Sequence, residues 1–375
     1  MPDSLSPTLS RQRERVATDS AGATLKVALI GYGYAGKTFH APLITSVPGL
    51  DLVAICSSNA AKVLADYPSA RVASSLEKLP ADTHIDVVVI ATPNPTHFDL
   101  ARHALLAGKH VVVDKPFTVT AEQAYELKAL AEHKGLTLSV FHNRRWDADF
   151  LTLRAVIATG RLGDLVSFES RFDRYRPEVR SRWREQRGEG TGLWFDLGPH
   201  LLDQALQLFG CPIAIHADFA MQRKDAEAVD YFHVLLRYAR LRVILHASML
   251  VADESPRYIL RGETGSYTKY GLDPQEDALK RGELPGSVGW GQDSRDGVLL
   301  AATVHGNTKS IVTNLTGDYC HFYAGFRDAI LSGAANPVSP DDAVLTMELI
   351  ELACESAEHR CEKALPPHRT PHPQY

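Results

Sequence analysis

The sequence predicts an α/β protein in which a doubly wound parallel sheet comes first and an α+β domain with a large, open, mainly antiparallel sheet follows. Three observations support this prediction. A glycine-rich loop, G-Y-G-Y-A-G-K-T, follows the short apolar run Leu25–Ile30. Apolar runs then alternate with amphipathic stretches as far as His142, the pattern of strands and helices in a parallel sheet. Beyond about residue 143 the runs alternate polar with apolar residues, which is typical of antiparallel strands with one wet face.

The first part of the chain is predicted to hold six strands with helices between them. Thr120 and Gln123 form a capping box at the start of one helix, and Gly108 and Gly135 each end a helix. Because parallel strands place their ligands at their carboxyl ends, we expect the binding site there. The predicted strands are Leu25–Ile30, Leu52–Cys56, Arg71–Ala73, Asp86–Thr92, His110–Val113 and Leu136–Phe141, and the predicted helices are Gly36–Ser46, Asn59–Asp66, His97–Ala107 and Ala121–Lys134.

The second part of the chain reads differently. Residues 279–296 are rich in glycine and charge and predict a loop, whereas Asp341–Arg360 predicts a closing amphipathic helix. The sequence thus divides into a disordered leader (1–23), a dinucleotide-binding domain (24–143), a second domain (144–365) and a disordered tail (366–375). The predicted strands of the second domain are Leu165–Tyr175, Tyr231–Tyr238, Arg242–Leu250 and Arg257–Arg261.

Length and composition narrow the class of protein. The 375 residues suit two domains, and 45% hydrophobic with 23% charged residues is the balance of a soluble globular protein. A formal charge of −5 gives no basic face, so nucleic acid and anionic membrane are not expected partners. The polar first 23 residues contain no apolar signal region, and the five cysteines show no C-x-x-C spacing. A cytoplasmic protein with reduced thiols is expected.

The octapeptide at residues 31–38 satisfies two phosphate-binding patterns. Gly31, Gly33 and Gly36 form G-x-G-x-x-G, the dinucleotide pattern, whereas G-x-x-x-x-G-K-T over the same residues is the P-loop of nucleotide triphosphatases. Only the dinucleotide pattern explains Gly33, where the backbone must approach the pyrophosphate. Asp114 could serve the P-loop alternative, but the Lys-Pro pair that follows it has no place there. Six alternating strands favour the dinucleotide.

The end of the second predicted strand bears on the choice of cofactor. Folds that bind NAD usually place a carboxylate there for the ribose hydroxyls. Here Ser57 and Ser58 occupy that position, and Lys62 follows. Two hydroxyls and a nearby ammonium suit a 2′-phosphate, so NADP is predicted over NAD. The alternative is that Ser58 or Asn59 only caps the next helix.

Lys115 and His200 are the candidate catalytic residues. Lys115 follows a buried strand, where a buried ammonium would stabilise a developing alkoxide; the alternative is a surface Lys-Pro turn. Pro199 is expected at the first position of a helix that Gly198 caps and Gly210 ends. His200 would then lie in the first turn, where the helix dipole keeps the imidazole neutral. Asp196 could orient it, although an N-terminal capping pair without chemistry is the alternative. Two such side chains are too few for a metal site.

Five motifs together resemble the family of glucose–fructose oxidoreductase, inositol dehydrogenase and rhizopine-catabolism oxidoreductases. They match in order from about Leu25 to Arg360, and the first and fourth are most similar to the NADP-dependent scyllo-inositol dehydrogenase branch. The motifs are G-Y-G-Y-A-G (31–36), A-T-P-N-P-T-H (91–97), D-K-P (114–116), F-H-N-R-R-W (141–146) and D-L-G-P-H (196–200).

The resemblance implies a Rossmann domain, a second domain whose open sheet forms a homodimer or homotetramer, and NAD(P)-linked oxidation of a polyol or sugar. It implies that Lys115, Asp196 and His200 are catalytic, and that Arg144, Asp196 and His200 contact substrate. Asp114 replaces the family's glutamate, and Pro116 is expected to be cis. With the loop and serine predictions above, the cofactor-binding residues are Gly31, Tyr32, Gly33, Tyr34, Ala35, Gly36, Ser57, Ser58, Thr92, Pro93, Asn94, His97, Asp114, Lys115, Asn143, Trp183 and Arg184.

Two further alternatives stay open. The same fold could reduce another ketone or an aldose, and it could also be a non-catalytic NADP sensor. A sensor needs neither Lys115 nor Asp196 nor His200, so their joint presence favours an enzyme.

Overall fold

The computed structural model describes residues 23–79, 83–303 and 306–365. The predicted tail and almost all of the predicted leader lie outside these residues. Within them, none of the helices combines the length and the apolar character that crossing a bilayer requires.

The first sheet confirms the predicted doubly wound fold. Its six strands are all parallel and lie in the order β3-β2-β1-β4-β5-β6, which reverses direction at β1. That reversal creates a crevice at the carboxyl ends of β1 and β4, where ligands of such sheets bind. The strands are β1 (Leu25–Ile30), β2 (Leu50–Cys56), β3 (Arg71–Ala73), β4 (Val87–Ile90), β5 (His110–Val113) and β6 (Leu138–Val140).

Helices cover this sheet close to the predicted positions. The first predicted helix begins as one wide turn, Gly36–His40, before the regular α-helix starts. Thr120 caps α4 by accepting a hydrogen bond from the Gln123 N–H, and Gly135 ends it at φ +64°. The helices are α1 (Ala41–Ser46), α2 (Ala60–Asp66), α3 (His97–Leu106) and α4 (Ala121–Lys134).

The second sheet is large, open and mainly antiparallel, as predicted. Nine strands of the described chain lie in the order β14-β13-β12-β11-β7-β10-β9-β8-β15. The pairing of β7 with β10 is the parallel one. The strands are β7 (Leu165–Arg171), β8 (Ala214–Ala220), β9 (Tyr231–Arg237), β10 (Arg242–Ser248), β11 (Pro256–Gly262), β12 (Gly265–Tyr270), β13 (Gly297–Thr303), β14 (Gly306–Val312) and β15 (Lys363–Ala364).

Helices lie on one face of the second sheet and between the two sheets. Residues 281–296 contain no regular element, as predicted, whereas residues 279 and 280 of the predicted loop belong to the helix Gln275–Lys280. The sequence did not predict α5, α7 or α8, nor the strands β8 and β12 to β15. The helices of this part are α5 (Ala148–Ala158), α6 (Gly192–Phe209), α7 (Gln275–Lys280), α8 (Cys320–Ser332) and α9 (Pro340–His359).

The predicted start of α6 at Pro199 is wrong. The helix begins at Gly192 after an extended Thr191, and Pro199 lies inside it. Leu193, Trp194 and Leu197 are buried. Their packing stabilises the two helical turns before Pro199, which the sequence prediction had placed outside the helix. His200 is consequently the ninth residue of the helix and lies outside the first turn.

The last long helix, α9, contacts both domains. Its Glu351 accepts a hydrogen bond from the Ala121 N–H at the start of α4, over 2.8 Å. On its other side, the Ile350 carbonyl accepts from the Trp194 indole of α6 at 3.2 Å. Val344, Met347 and Leu349 of α9 are buried between these elements.

Candidate active site

The loop after β1 has the geometry of a phosphate cradle. Gly31 adopts φ +97°, and a Cβ there would lie 2.5 Å from the Ala91 carbonyl oxygen. A Cβ on Gly36 would lie 2.0 Å from the Gly31 oxygen, so the helix packs against the strand only with glycine. Gly33 by contrast faces open space, with nothing within 4 Å of a Cβ. Each glycine therefore has the surroundings that a dinucleotide loop requires.

A dinucleotide pyrophosphate fits this loop. The N–H groups of a first helical turn have no partners inside the helix, and here they follow Gly33 directly. The open space beside Gly33 leaves room for the phosphates to approach the backbone. Tyr32 does not point into that space; its hydroxyl donates to Asp66 at 2.8 Å.

The end of β2 shows which residue caps the following helix. The Asn59 side chain accepts from the Lys62 N–H at 3.0 Å, so Asn59 is the cap of α2. Ser57 accepts from the Asn59 N–H at 3.1 Å, and Ser58 is exposed. The Lys62 ammonium lies 3.1 Å from the Tyr32 carbonyl oxygen, beside the phosphate loop. The helix cap is therefore Asn59, and the Ser58 hydroxyl stays available for a ligand.

Residues 92–97 join β4 to α3 and contact the second domain through Asn94. The Thr92 hydroxyl lies 2.6 Å from that of Thr96, and Pro93 precedes a single turn of 3₁₀-helix. Asn94 donates to the Gly190 carbonyl at 2.8 Å, while its Oδ1 atom is buried without a partner in the described chain. The His97 ring is fully buried, with its nitrogens 2.9 Å from the carbonyl oxygens of Thr92 and Pro116. Through these hydrogen bonds the segment fixes the loops that contain Pro116 and Gly190, beside the site.

A cleft of about 740 Å³ lies between the carboxyl edge of the first sheet and the second domain. Half of the predicted site residues line it: Tyr34, Ala35, Asp114, Lys115, Asn143, Arg144, Trp183, Arg184, Asp196 and His200. The others do not: Gly31, Tyr32, Gly33, Gly36, Ser57, Ser58, Thr92, Pro93, Asn94 and His97.

Helix α6 presents Asp196 and His200 to the cleft on one face. The two are four residues apart, about one helical turn, so their side chains are neighbours. Lys115, from the end of β5, reaches across to this face. Its ammonium lies 2.6 Å from the Asp196 carbonyl oxygen and 3.2 Å from the carboxylate Oδ1. The structure thus brings together three side chains that are far apart in sequence.

Asp196 is a half-buried carboxylate surrounded by cations. Burial alone would raise the pKa of Asp196, but Lys115, Arg184 and Arg174 hold it well below its usual range. Guanidinium nitrogens of Arg174 and Arg184 each lie 3.6 Å from it. Burial also lowers the pKa of Lys115, and Asp196 opposes that effect. Asp196 is therefore ionised and compensates the charge of Lys115.

His200 is neutral for a reason that differs from the prediction. The helix dipole acts within the first turn, and His200 lies beyond it. Burial first, then the charges of Lys115 and Arg144, lower the pKa of His200 well below its ordinary value. Its Nδ1 atom is buried without a hydrogen-bond partner among the described residues. The result is a neutral imidazole in the cleft.

Asp114 supports Lys115 from behind. The peptide bond between Lys115 and Pro116 is cis, as the resemblance implied. Asp114 accepts a hydrogen bond from the Lys115 N–H at 2.8 Å, and His40 Nε2 lies 3.7 Å from the same carboxylate. Burial would raise the pKa of Asp114, but His40, Lys115 and His97 lower it to about 2.

Arg144 is linked to the phosphate loop through Glu276. Its guanidinium stacks 5.0 Å from the Phe172 ring and pairs with Glu276 at 2.6 Å. Glu276 also accepts from the Tyr34 hydroxyl at 2.8 Å and pairs with Lys280 at 2.9 Å. Asn143 is buried beside Arg144.

Sequence reasoning missed much of the basic wall of the cleft. Trp183 and Arg184 were predicted, and the Arg184 guanidinium lies 5.0 Å from the Trp183 ring centroid. The side chains of Arg174, Arg176, Arg180 and Arg182 also line the cleft. The sequence does contain a sign of these residues, because residues 174–187 are rich in arginine. This segment matches no known motif, so the sign was not interpreted. Glu276 and Lys280 had no signal in the sequence.

A Rossmann sheet with a glycine phosphate loop, next to a cleft that holds a lysine, a carboxylate and a neutral histidine, defines a dinucleotide-dependent oxidoreductase. The chain belongs to the oxidoreductase family of glucose–fructose oxidoreductase, inositol dehydrogenase and MocA. The family's NAD-binding Rossmann fold matches residues 25–142, and its C-terminal alpha/beta domain matches residues 154–363. The P-loop alternative is therefore wrong, and the Lys37 ammonium, in the wide turn after the loop, pairs with Asp66 at 2.6 Å.

Individual relatives match over nearly the whole chain. YdgJ, an uncharacterized oxidoreductase of Escherichia coli K12, is 55% identical over 91% of this chain and 99% of its own length. IolW of Bacillus subtilis 168, a scyllo-inositol 2-dehydrogenase (NADP(+)), is 41% identical over 90% of this chain and 95% of its own. The structure of a Yersinia pestis oxidoreductase superposes with a TM-score of 0.89 at 53% identity, covering 92% of this chain and 99% of that one.

Proposed function

We propose that this protein is an NADP-dependent dehydrogenase of a polyhydroxylated ring, an inositol such as scyllo-inositol or a sugar. The observation that carries this proposal is the contact of the Lys115 ammonium with Asp196, one helical turn from His200. The cleft that contains them ends at Tyr34 of the phosphate loop. A substrate hydroxyl that enters the cleft would meet the Lys115 ammonium and the His200 imidazole beside the place where the nicotinamide would bind.

The roles of the residues follow from their charges. The bound nicotinamide would supply the acceptor for the hydride of the carbinol carbon. His200, being neutral, takes the hydroxyl proton. Lys115 stabilises the negative charge that grows on the substrate oxygen. Asp196 holds Lys115 in place, and with Arg144 it provides hydrogen bonds for neighbouring hydroxyls.

NADP is the proposed cofactor. No carboxylate lies at residues 56–59, and Ser58 is exposed there with its capping role taken by Asn59. Lys62 adds a positive charge between this position and the phosphate loop. The relative IolW, whose name specifies NADP(+), supports the same choice. The cofactor contacts predicted for residues 92–97, 143, 183 and 184 belong to this proposal.

The open sheet supports a proposal about assembly. The face of β9 and β10 away from the helices includes Tyr231, His233 and Ile244, which are only partly exposed. A face of this kind suits pairing with a second copy, so we propose a homodimer or homotetramer in the cytoplasm. Light scattering of the purified protein tests it, and a monomer at micromolar concentration would contradict it.

A reduction screen tests the proposed activity. NADP⁺ and NAD⁺ are each supplied with inositol isomers and common sugars at alkaline pH, and absorbance at 340 nm is recorded. We expect NADP⁺ reduction with at least one polyol. Tight NADP⁺ binding without turnover in either direction would instead favour a non-catalytic sensor, and activity only with ketones or aldoses and NADPH would favour a reductase.

A further inference from the structure

The wall of the cleft beyond Asp196 is strongly basic. Nine lysine and arginine side chains line the cleft against five carboxylates, in a chain whose formal charge is −5. Most of these cations come from the segment that follows β7. The excess of positive charge is therefore confined to the cleft, since acidic residues outnumber basic ones in the whole chain.

The carboxylates of the cleft already have partners. Asp196 contacts Lys115, Arg174 and Arg184, and Glu276 contacts Arg144 and Lys280. Asp230 and Glu185 both pair with Arg223, at 2.9 and 3.0 Å. Asp114 accepts from the Lys115 backbone. None of these acidic groups is left for the remaining arginines.

Arg176, Arg180 and Arg182 are those remaining arginines. Within the part of the chain that the structure describes, no acidic side chain pairs with any of their guanidinium groups. Burial first, and then repulsion by the like charges of Arg174, Arg180 and Arg182, lower the pKa of Arg176, while Asp196 opposes that shift. A bound anion would relieve that repulsion, and guanidinium groups bind carboxylate and phosphate in a bidentate manner.

The phosphates of the cofactor have other places to bind. The pyrophosphate fits the loop at Gly33, and the 2′-phosphate of NADP fits Ser58 and Lys62. Neither Ser58 nor Lys62 lines the cleft. The three arginines line the same cleft as Lys115, Asp196 and His200, with Arg180 and Arg182 at its exposed rim, and the charge of Asp196 acts on the pKa of Arg176.

We infer that the substrate is an anionic polyol, a sugar or cyclitol that carries a carboxylate or a phosphate, and that Arg176 and Arg182 bind that group. This inference rests on the proposed function. It narrows the proposed substrates from inositols and sugars in general to their negatively charged derivatives. The reaction is unchanged: the carbinol carbon loses hydride to the cofactor, the hydroxyl proton goes to His200, and a carbonyl forms. The anionic group takes no part in the bond changes and fixes the orientation of the ring.

Matched substrate pairs test the inference on the full-length enzyme with NADP⁺. D-glucose is compared with D-glucuronate and D-glucose 6-phosphate, and myo-inositol with myo-inositol 1-phosphate. We expect kcat/KM to be at least about tenfold higher for an anionic member of a pair, since charge-assisted hydrogen bonds are the strong ones. The uronate and phosphate arms show which anion the arginines accept. Higher kcat/KM for every neutral member would overturn the inference while the proposed dehydrogenase function stands.

Variants separate the substrate from the cofactor. The double variant Arg176→Gln/Arg182→Gln is expected to raise KM for the anionic substrate at least about tenfold, with KM for NADP⁺ unchanged. Arg187→Gln is the matched control, because Arg187 is exposed on the same segment and does not line the cleft. A double variant that raises KM for NADP⁺ alone would overturn the inference, since the arginines would then belong to the cofactor.

Calorimetry gives a readout that does not need turnover. Each anionic probe is titrated into the enzyme saturated with NADP⁺, before and after the double substitution. Binding that the double variant weakens and Arg187→Gln does not would support the inference. Absence of binding for every anionic probe would overturn it. Absence of turnover with all probes, neutral and anionic, would count separately against the proposed dehydrogenase function.

Discussion

The Lys115 ammonium lies 2.6 Å from the backbone oxygen of Asp196 and 3.2 Å from its carboxylate. One residue comes from the end of a strand in the first domain, and the other from a helix of the second. This cation, which lines the cleft, is therefore held by both domains at once. Its charge is compensated by Asp196, so it can remain buried in the cleft.

Replacing Lys115 tests whether that ammonium acts on the reaction. Lys115→Ala is expected to lower kcat by about 10²-fold, because the developing charge on the substrate oxygen loses its stabilising cation. Fluorescence titration should give a dissociation constant for NADP⁺ within about threefold of wild type. Lys134→Ala, an exposed lysine, serves as the control. A defect confined to NADP⁺ binding would assign Lys115 a structural role.

Replacing His200 tests the proposed base. His200→Ala is expected to lower kcat by about 10²- to 10⁴-fold, the range for loss of a general acid or base. The exposed His133→Ala should leave kcat unchanged. Retention of more than about a third of wild-type turnover by His200→Ala would exclude this role.

The pH profile of oxidation should reflect the lowered pKa of His200. Burial and the charges of Lys115 and Arg144 disfavour the imidazolium, so the base is neutral at and somewhat below the ordinary histidine pKa of about 6.5. Thus kcat/KM at saturating NADP⁺ should show no acid limb above about pH 6.5 and should decline only at lower pH. An acid limb with an apparent pKa above 7 would argue for a different base.

Two glycines of the phosphate loop offer a matched comparison. Gly33→Ala adds a methyl group in open space, so the free energy of unfolding should change by less than about 0.5 kcal/mol. The same methyl group occupies the approach of the pyrophosphate, and NADP⁺ affinity should fall at least about tenfold. Gly36→Ala forces the Gly31 carbonyl to move and should cost about 1–3 kcal/mol of stability. Unchanged NADP⁺ affinity in Gly33→Ala would contradict the cradle.

Ser58 tests the choice between NADP and NAD. Ser58→Asp places a carboxylate where NAD-binding folds keep one, which repels a 2′-phosphate and accepts from ribose hydroxyls. The ratio of kcat/KM for NADP⁺ to that for NAD⁺ should fall at least about tenfold. Ser58→Ala, which adds no charge, should change the ratio much less. If the ratio of the two kcat/KM values is unaltered in Ser58→Asp, the 2′ position of the cofactor's ribose does not lie beside residue 58.

Local signals explain how far the fold could be predicted. The first sheet has short connections, buried apolar strands and glycine or threonine caps, each readable from a few residues such as Thr120 or Gly135. The edge strands of the second sheet, such as β14 with its exposed Asn307 and Lys309, carry no apolar alternation. In helix α6 a local signal was present but misleading. Pro199 predicts a helix start, whereas buried tertiary contacts extend the helix back to Gly192.

The candidate site was predictable where a motif carries it. Lys115, Asp196 and His200 each follow a recognisable pattern, and the structure gathers them. The cause of the neutral state of His200 was not predictable, because it depends on burial in the folded cleft and on the charges of Lys115 and Arg144 from distant segments. Glu276, which contacts Tyr34 and Arg144 together, is a product of the tertiary fold alone.

The position of α9 has a consequence for the independence of the two domains. Glu351 of this C-terminal helix closes the start of α4, and the Val338 carbonyl just before it accepts from the Ser139 hydroxyl on β6 at 2.9 Å. Residues 338–351 must therefore be synthesised before the outer layer of the first domain is complete. A fragment cut at residue 143 would leave apolar surface bare, and heating should melt both sheets in one cooperative transition.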